Sequence, residues 1–241
     1  MIVLNELLNS VETYTITAVI DTALCVGAGG SSGSLADKPI VRNAEGNLLI
    51  PGSQLKGRLR HECEKIARGL GWEVCESPNA GKMVIRRDNA PDKFKRSDYE
   101  VSGYNDTYHC LISQIFGDPV LPSRIIIDDL ICTEDPDNLP EVIRPGVTIN
   151  RSRGTAEENK LYFLETSPAN VSLKFEGQIY LLPNCPTYAK PLILSAFKHI
   201  HALGGSKSAG LGWLSWDKLP EFEVTDEDWN FLAKGGNNAA N

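Results

Sequence analysis

Across residues 13–20 apolar and polar positions alternate. Tyr14, Ile16, Ala18 and Ile20 fall on one side and Thr13, Thr15 and Thr17 on the other, the period of a half-buried strand. A Gly/Ser-rich stretch and a short hairpin around 43–47 follow. Pro51-Gly52 then makes a turn with Ser53 as the expected N-cap, and Leu55, Leu59, Ile66 and Leu70 recur at helical spacing until Gly69 and Gly71 stop the helix. Residues 73–107 carry neither period and are too long for a simple connection, so they read as an insertion or a loop. A short helix is expected over 110–116 and a strand over 124–131 (RIIIDDLI), with an acidic, Pro-rich loop at 134–140. Polar residues with β-branched ends predict a long hairpin over 145–165, its tip near 155–159. Val171, Leu173, Phe175 and Ile179 then alternate with Ser172, Lys174, Glu176 and Gln178 as a strand. Leu192, Ala196, Ile200 and Leu203 set a second helix closed by Gly204-Gly205, and a last strand runs over 210–216.

Strand, helix, strand, hairpin, strand, helix, strand is an α+β order, that of a split βαβ, ferredoxin-like (RRM-like) βαββαβ core with insertions. At 241 residues the chain suits one large domain. The expected division is a single domain over 1–219, with the insertion at 73–110 and the hairpin at 145–166, followed by an acidic C-terminal tail over 220–241.

No apolar run approaches the ~18 residues of a membrane helix, and the first eight residues are too short and acidic for a secretory signal, so a cytoplasmic protein without membrane contact is expected. The six cysteines then read as buried thiols rather than a disulfide framework. The formal net charge is −7, which argues against a simple polyanion-binding protein. Its distribution changes that picture. Cations cluster in the first helix (Lys56, Arg58, Arg60, Lys65, Arg68), in the insertion (Arg86, Arg87, Lys93, Lys95, Arg96) and on the hairpin side (Arg144, Arg151, Arg153), while acids gather at 134–137 and 221–228.

The chemistry concentrates in 27–60 (GAGGSSGSLADKPIVRNAEGNLLIPGSQLKGRLR). Gly27, Gly29, Gly30 and Gly33 allow close backbone approach to a ligand, and Asp37 stands at the loop's exit. Lys56 and Arg60, four apart, share a face beside the helix's first N–H groups, an arrangement suited to an anion. Asp21, Asp128 and Asp129 lie in or beside strand patterns and read as surface or hairpin acids. Phe94, Tyr99, Tyr104 and Tyr108 read more readily as packing within the insertion than as base-stacking groups.

In order along the chain, ADKPIV, IPGSQLKGRLR, GVTINRSRGT (146–155), YFLET (162–166) and the glycine-rich LGGSKSAGLGWL (203–214) resemble the RAMP superfamily of CRISPR-associated proteins. The nearest likeness is to the repeating backbone subunit of type III CRISPR effector complexes. The resemblance implies an endoribonuclease in which Asp37 is catalytic. The target RNA's own 2′-hydroxyl attacks, leaving a cyclic 2′,3′-phosphate, and Asp37 helps to hold a divalent metal (Mg or Mn) or orients the flipped nucleotide. It further implies RNA contacts from Gly29 and Gly30, from Ser53, Lys56, Arg58 and Arg60, from Arg151 and Arg153 on a hairpin acting as a thumb, and from Lys207. A structural zinc is implied in the insertion, with Cys63, Cys75, His109 and Cys110 as the ligand set and His61 as a further candidate. The implied partners are CRISPR guide RNA, target RNA and other RAMP subunits. Two other readings stay open: a non-catalytic guide-binding scaffold or capping subunit, and a guide-processing endonuclease using His61, His109, His199 or His201. None of these histidines lies in a glycine-rich loop.

Overall fold

The computed structural model describes residues 11–27 and 36–236. The elements are β1 (Glu12–Ile20), β2 (Leu49–Ile50), α1 (Gly52–Gly69), α2 (Ala80–Met83), β3 (Ile85–Arg86), β4 (Thr107–Tyr108), α3 (Leu111–Phe116), β5 (Ile125–Ile127), β6 (Leu130–Cys132), β7 (Val142–Asn150), β8 (Thr155–Thr166), β9 (Leu173–Leu181), α4 (Ala189–His199), β10 (Leu214–Lys218) and α5 (Asp226–Ala233).

The main antiparallel sheet runs β10-β1-β9-β6-β2, with β5 also paired to β9. The class is therefore α+β. β5 and β6 lie end to end along β9, and Asp128 and Asp129 form the break between them. Strand alternation sends Ile16, Ala18, Ile20, Leu173, Phe175 and Ile179 inward. α1 and α4 cover this face, burying Leu55, Leu59, Cys63 and Ala67 from one helix and Leu192, Ile193, Ala196 and Phe197 from the other. The α1 stripe thus steps by four through Cys63 and Ala67, and Ile66 and Leu70 are only half-buried. The expected stripe shifts because the small side chains of Cys63 and Ala67 let α4 approach, with Cys63 Sγ 3.9 Å from Leu192 O.

The insertion is folded. β3 pairs with β4, and a local core forms where Trp72, Phe94 and Tyr99 pack, with the Tyr99 hydroxyl donating to Glu73 O at 2.9 Å. The β7–β8 hairpin is a separate two-stranded sheet. Its tip is 151–154, not 155–159. Asn150 Oδ1 accepts from Ser152 N and Arg153 N at 3.0 and 3.1 Å, and Gly154 adopts φ +66°. The acidic C-terminal segment is also ordered into α5, which starts on a capping box between Thr225 and Asp228. Phe231 stacks between Trp72 and Tyr188, and Trp72 Nε1 donates to Leu232 O at 2.8 Å. What reads in the sequence as a tail is therefore docked to the body up to 236. No helix among the described residues is long and apolar enough to cross a membrane.

Candidate RNA-binding and cleavage site

Three stretches far apart in the chain meet at one place. Val41 N donates to Val26 O at 2.9 Å and Gly27 bridges Ile40, so 26–27 and 40–41 form a stem for the first glycine-rich loop. Gly29 and Gly30 lie outside the described residues. The second glycine-rich loop packs on the incoming side of that stem. Gly205 N donates to Cys25 O at 2.6 Å and Gly212 N to Ala23 O at 2.9 Å. Gly204 has φ +87°, and a Cβ on it would stand 2.6 Å from Cys25 O, so a side chain there would force the loops apart. The third stretch is the base of β8, where Leu24 and Ser167 exchange hydrogen bonds of 2.8 and 3.0 Å. Ala23, Cys25, Leu164 and Leu211 form a small apolar cluster joining all three. Burial pushes the Cys25 thiol up despite the opposing charge of Lys38, so it sits there as a neutral packing group.

Asp37 is exposed at this junction. Its Oδ2 accepts the Phe163 N–H at 2.7 Å, Lys38 N donates to Phe163 O at 3.3 Å, and Glu165 N donates to Lys38 O at 3.1 Å. The 37–40 segment thus runs as a short parallel neighbour of β8, with Lys38 bridging Leu164. Pro145 lies opposite Phe163 in the hairpin, and both main-chain groups of Phe163 turn outward to 37–38. A residue without an N–H therefore leaves no ladder bond unmade at that position.

The α1 cations are committed within the protein. Lys56 Nζ donates to Ser123 Oγ at 2.8 Å and Ile125 O at 2.9 Å, and burial, with the Arg60 charge nearby, lowers its pKa. Arg60 bonds Gly117 O at 2.9 Å and pairs with Glu64 at 3.1 Å. Arg58 and Lys65 flank Glu62 at 2.9 and 2.7 Å. Burial would raise the Glu62 carboxyl, yet Lys65 and Arg58 hold it below its ordinary range. Ser53 is not the N-cap. Pro51 occupies that position without a side-chain bond, and Asp129 Oδ1 accepts the Gly52 N–H at 2.7 Å. An acid already sits at the helix's positive end. Gly52 is required there, since a Cβ would stand 2.2 Å from Ile127 O.

Arg151 and Arg153 stand exposed at the hairpin tip. Lys207, also exposed, donates from Nζ to Gly204 O at 2.9 Å. The insertion's cations are largely neutralised: Arg87 pairs with Glu100, Lys93 with Glu73, Lys95 with Asp92 and Arg96 with Asp98.

The four expected zinc ligands do not assemble, and no group of three or more His, Cys, Asp or Glu is placed for a metal among the described residues. Cys75 N donates to Cys110 Sγ at 3.5 Å, so these two do meet. Cys63 lies elsewhere, under α4, with Sγ 3.9 Å from Leu192 O, and burial drives its thiol pKa far up. Buried His109 has both ring nitrogens engaged, Nδ1 with Asp118 Oδ2 at 2.6 Å and Nε2 with Thr107 Oγ1 at 2.8 Å. His61 is exposed on α1. This donor set does not fit a zinc ion; apolar packing and the His109–Asp118 bond account for these residues.

The sequence reading overlooked Glu165 and underrated Asp129. Glu165 offered one signal, an acid directly after the apolar run Tyr162-Phe163-Leu164. Asp129 offered none, because its partner Gly52 is 77 residues away.

Beside this junction of 23–27 and 36–41 with the hairpin base and the second glycine-rich loop stands a family match: the chain matches the RAMP superfamily over residues 17–215 and belongs to it. Among individual proteins it is similar to one from Methanocaldococcus jannaschii named CRISPR system Cms endoribonuclease Csm3. The two are 26% identical over 213 residues, spanning 82% of this chain and 75% of that protein.

Proposed function

We propose that this chain is the backbone subunit of a type III CRISPR effector complex, binding guide RNA and cutting the paired target RNA beside Asp37. The observation that carries it is the convergence of 23–27 and 36–41 with 163–167 and 203–212 around an exposed aspartate. We read β10-β1-β9 with β5/β6, together with α1 and α4, as the split βαβ, ferredoxin-like core, and the β7–β8 hairpin as the thumb.

In this reading the target's 2′-hydroxyl attacks its own phosphorus, and the bond to the 5′-oxygen of the next nucleotide breaks. The products are a cyclic 2′,3′-phosphate and a 5′-hydroxyl, so no protein nucleophile is needed. A carboxylate is a weak base at neutral pH, so Asp37's role is to orient the reacting groups for in-line attack. Asp37 Oδ2 is held by Phe163 N–H, while Oδ1 has no hydrogen bond among the described residues. One free carboxylate oxygen suits Mg or Mn, which typically binds one or two carboxylates plus substrate phosphates. When bound, such an ion supplies charge neutralisation at the phosphate.

Arg151, Arg153 and Lys207 are the phosphate contacts we favour, since Arg58 is half-buried against Glu62. Lys56 and Arg60 act indirectly, by fixing α1 against 117–125. Such contacts position RNA without reading sequence, as a subunit accepting any guide requires. Asp37→Ala in the reconstituted complex should abolish cutting at this subunit's site while guide and target binding persist. A single 2′-deoxy nucleotide before the break should block it equally. Normal cutting by the Asp37→Ala complex would reduce the chain to a guide-binding scaffold.

A further inference from the structure

An exposed aspartate on a connecting segment has a wandering carboxylate unless something braces the segment. Here the brace is Glu165, only 5% exposed although charged. A buried carboxylate is costly unless its oxygens are hydrogen-bonded, and these are committed to the strand carrying Asp37. Glu165 Oε2 accepts the Ile40 N–H at 3.2 Å, and Oε1 stands 3.8 Å from Arg42 Nη2. Its own N–H donates to Lys38 O at 3.1 Å. In a regular parallel ladder Ile40 N–H would reach the Glu165 carbonyl; the side chain takes it instead. Glu165 therefore grips the segment on both sides of Pro39, one residue beyond the point where Phe163 N–H holds Asp37 Oδ2.

The geometry points to Glu165 as a positioning residue that sets the direction of the Asp37 carboxylate and makes the hairpin base and the acid one rigid unit. This rests on the nuclease reading of Asp37. Glu165 is buried and acts through 38–42.

The test uses the reconstituted complex with Glu165→Ala, Glu165→Gln and Asp37→Ala. Three quantities are read: single-turnover cutting at saturating target, target affinity, and amide hydrogen exchange over 36–42 and 160–167. Glu165→Ala should slow cutting by roughly 10- to 100-fold, the size of effect small misplacements produce, with affinity within about threefold. Exchange at Lys38, Ile40 and Phe163 should quicken. Glu165→Gln, whose amide oxygen still accepts from Ile40, should recover most of the rate. Should Glu165→Ala not fold, Glu165→Met keeps the side-chain length while removing the oxygens that Ile40 N–H and Arg42 meet, and should slow cutting with affinity kept. If Asp37→Ala is dead but Glu165→Ala, or in its place Glu165→Met, cuts normally, Glu165 is not a positioning residue and the nuclease reading stands. If Asp37→Ala itself cuts normally, both fall.

Discussion

Lys56 lies on the helix face that, read from the chain alone, should meet an anion. Its ammonium instead reaches inward to Ser123 Oγ and Ile125 O, and burial lowers its pKa. Removing it deletes two bonds from a charged donor, so Lys56→Met should cost about 2 kcal/mol in urea unfolding, the scale of hydrogen bonds to a charged group. The salt dependence of guide binding should stay unchanged. A direct phosphate contact would give the opposite pattern: unchanged stability, and a salt slope lower by about one. The helix itself was legible, because Leu55 and Leu59 set its period locally. The destination of Lys56 was not, since its partners lie 67 and 69 residues further along. Glu165 is the converse case. Its place in YFLET was visible, but an inward carboxylate becomes meaningful only when Ile40 and Arg42 are seen beside it.

Among the elements, the hairpin separates what a pattern can and cannot convey. Both arms were legible, and the tip was misplaced by several residues because TAEENK (155–160) is polar throughout. In β8 these residues are mostly exposed, so no buried face imposes a period on them. α5 was missed for a related reason, since Trp229, Phe231 and Leu232 are too few to show a stripe. The Thr225-to-Asp228 spacing was its available signal. At the true tip, Arg151 and Arg153 project without an ion pair among the described residues, supported by turn bonds to Asn150 that involve only main-chain N–H groups of Ser152 and Arg153. Arg151→Ala/Arg153→Ala should therefore leave the melting temperature unchanged. It should weaken target binding at low salt and reduce the salt slope by about two, one for each phosphate no longer neutralised. A lowered melting temperature with an unchanged slope would place these arginines in the fold rather than on RNA.

For the whole molecule, charge decides how the proposed RNA binding would be organised. The formal net charge is −7. Clusters that look basic along the chain are largely paired in space: Arg58 and Lys65 on Glu62, Arg60 and Arg68 on Glu64, and four insertion cations on Glu73, Asp92, Asp98 and Glu100. The exposed cations without an ion pair among the described residues are scattered: Lys38, Arg151, Arg153, Lys160 and Lys207 on the loops and hairpin, Arg86 in the insertion, and Lys198, Lys218 and Lys234 elsewhere. One copy then offers a polyanion scattered cations against an overall repulsive field, and binding free energy from counterion release scales with the number of phosphates neutralised. Successive subunits along a guide would add these cations together, as linked sites do. The isolated chain should accordingly bind a guide-length single-stranded RNA with a dissociation constant of about 1 μM or weaker near physiological salt, the range of non-specific association, and with a shallow salt slope. The assembled complex should protect the same RNA tightly. Nanomolar protection of a full-length guide by a verified monomer, in fluorescence anisotropy at physiological ionic strength, would mean that one copy carries a complete binding surface and that assembly is not what creates the site.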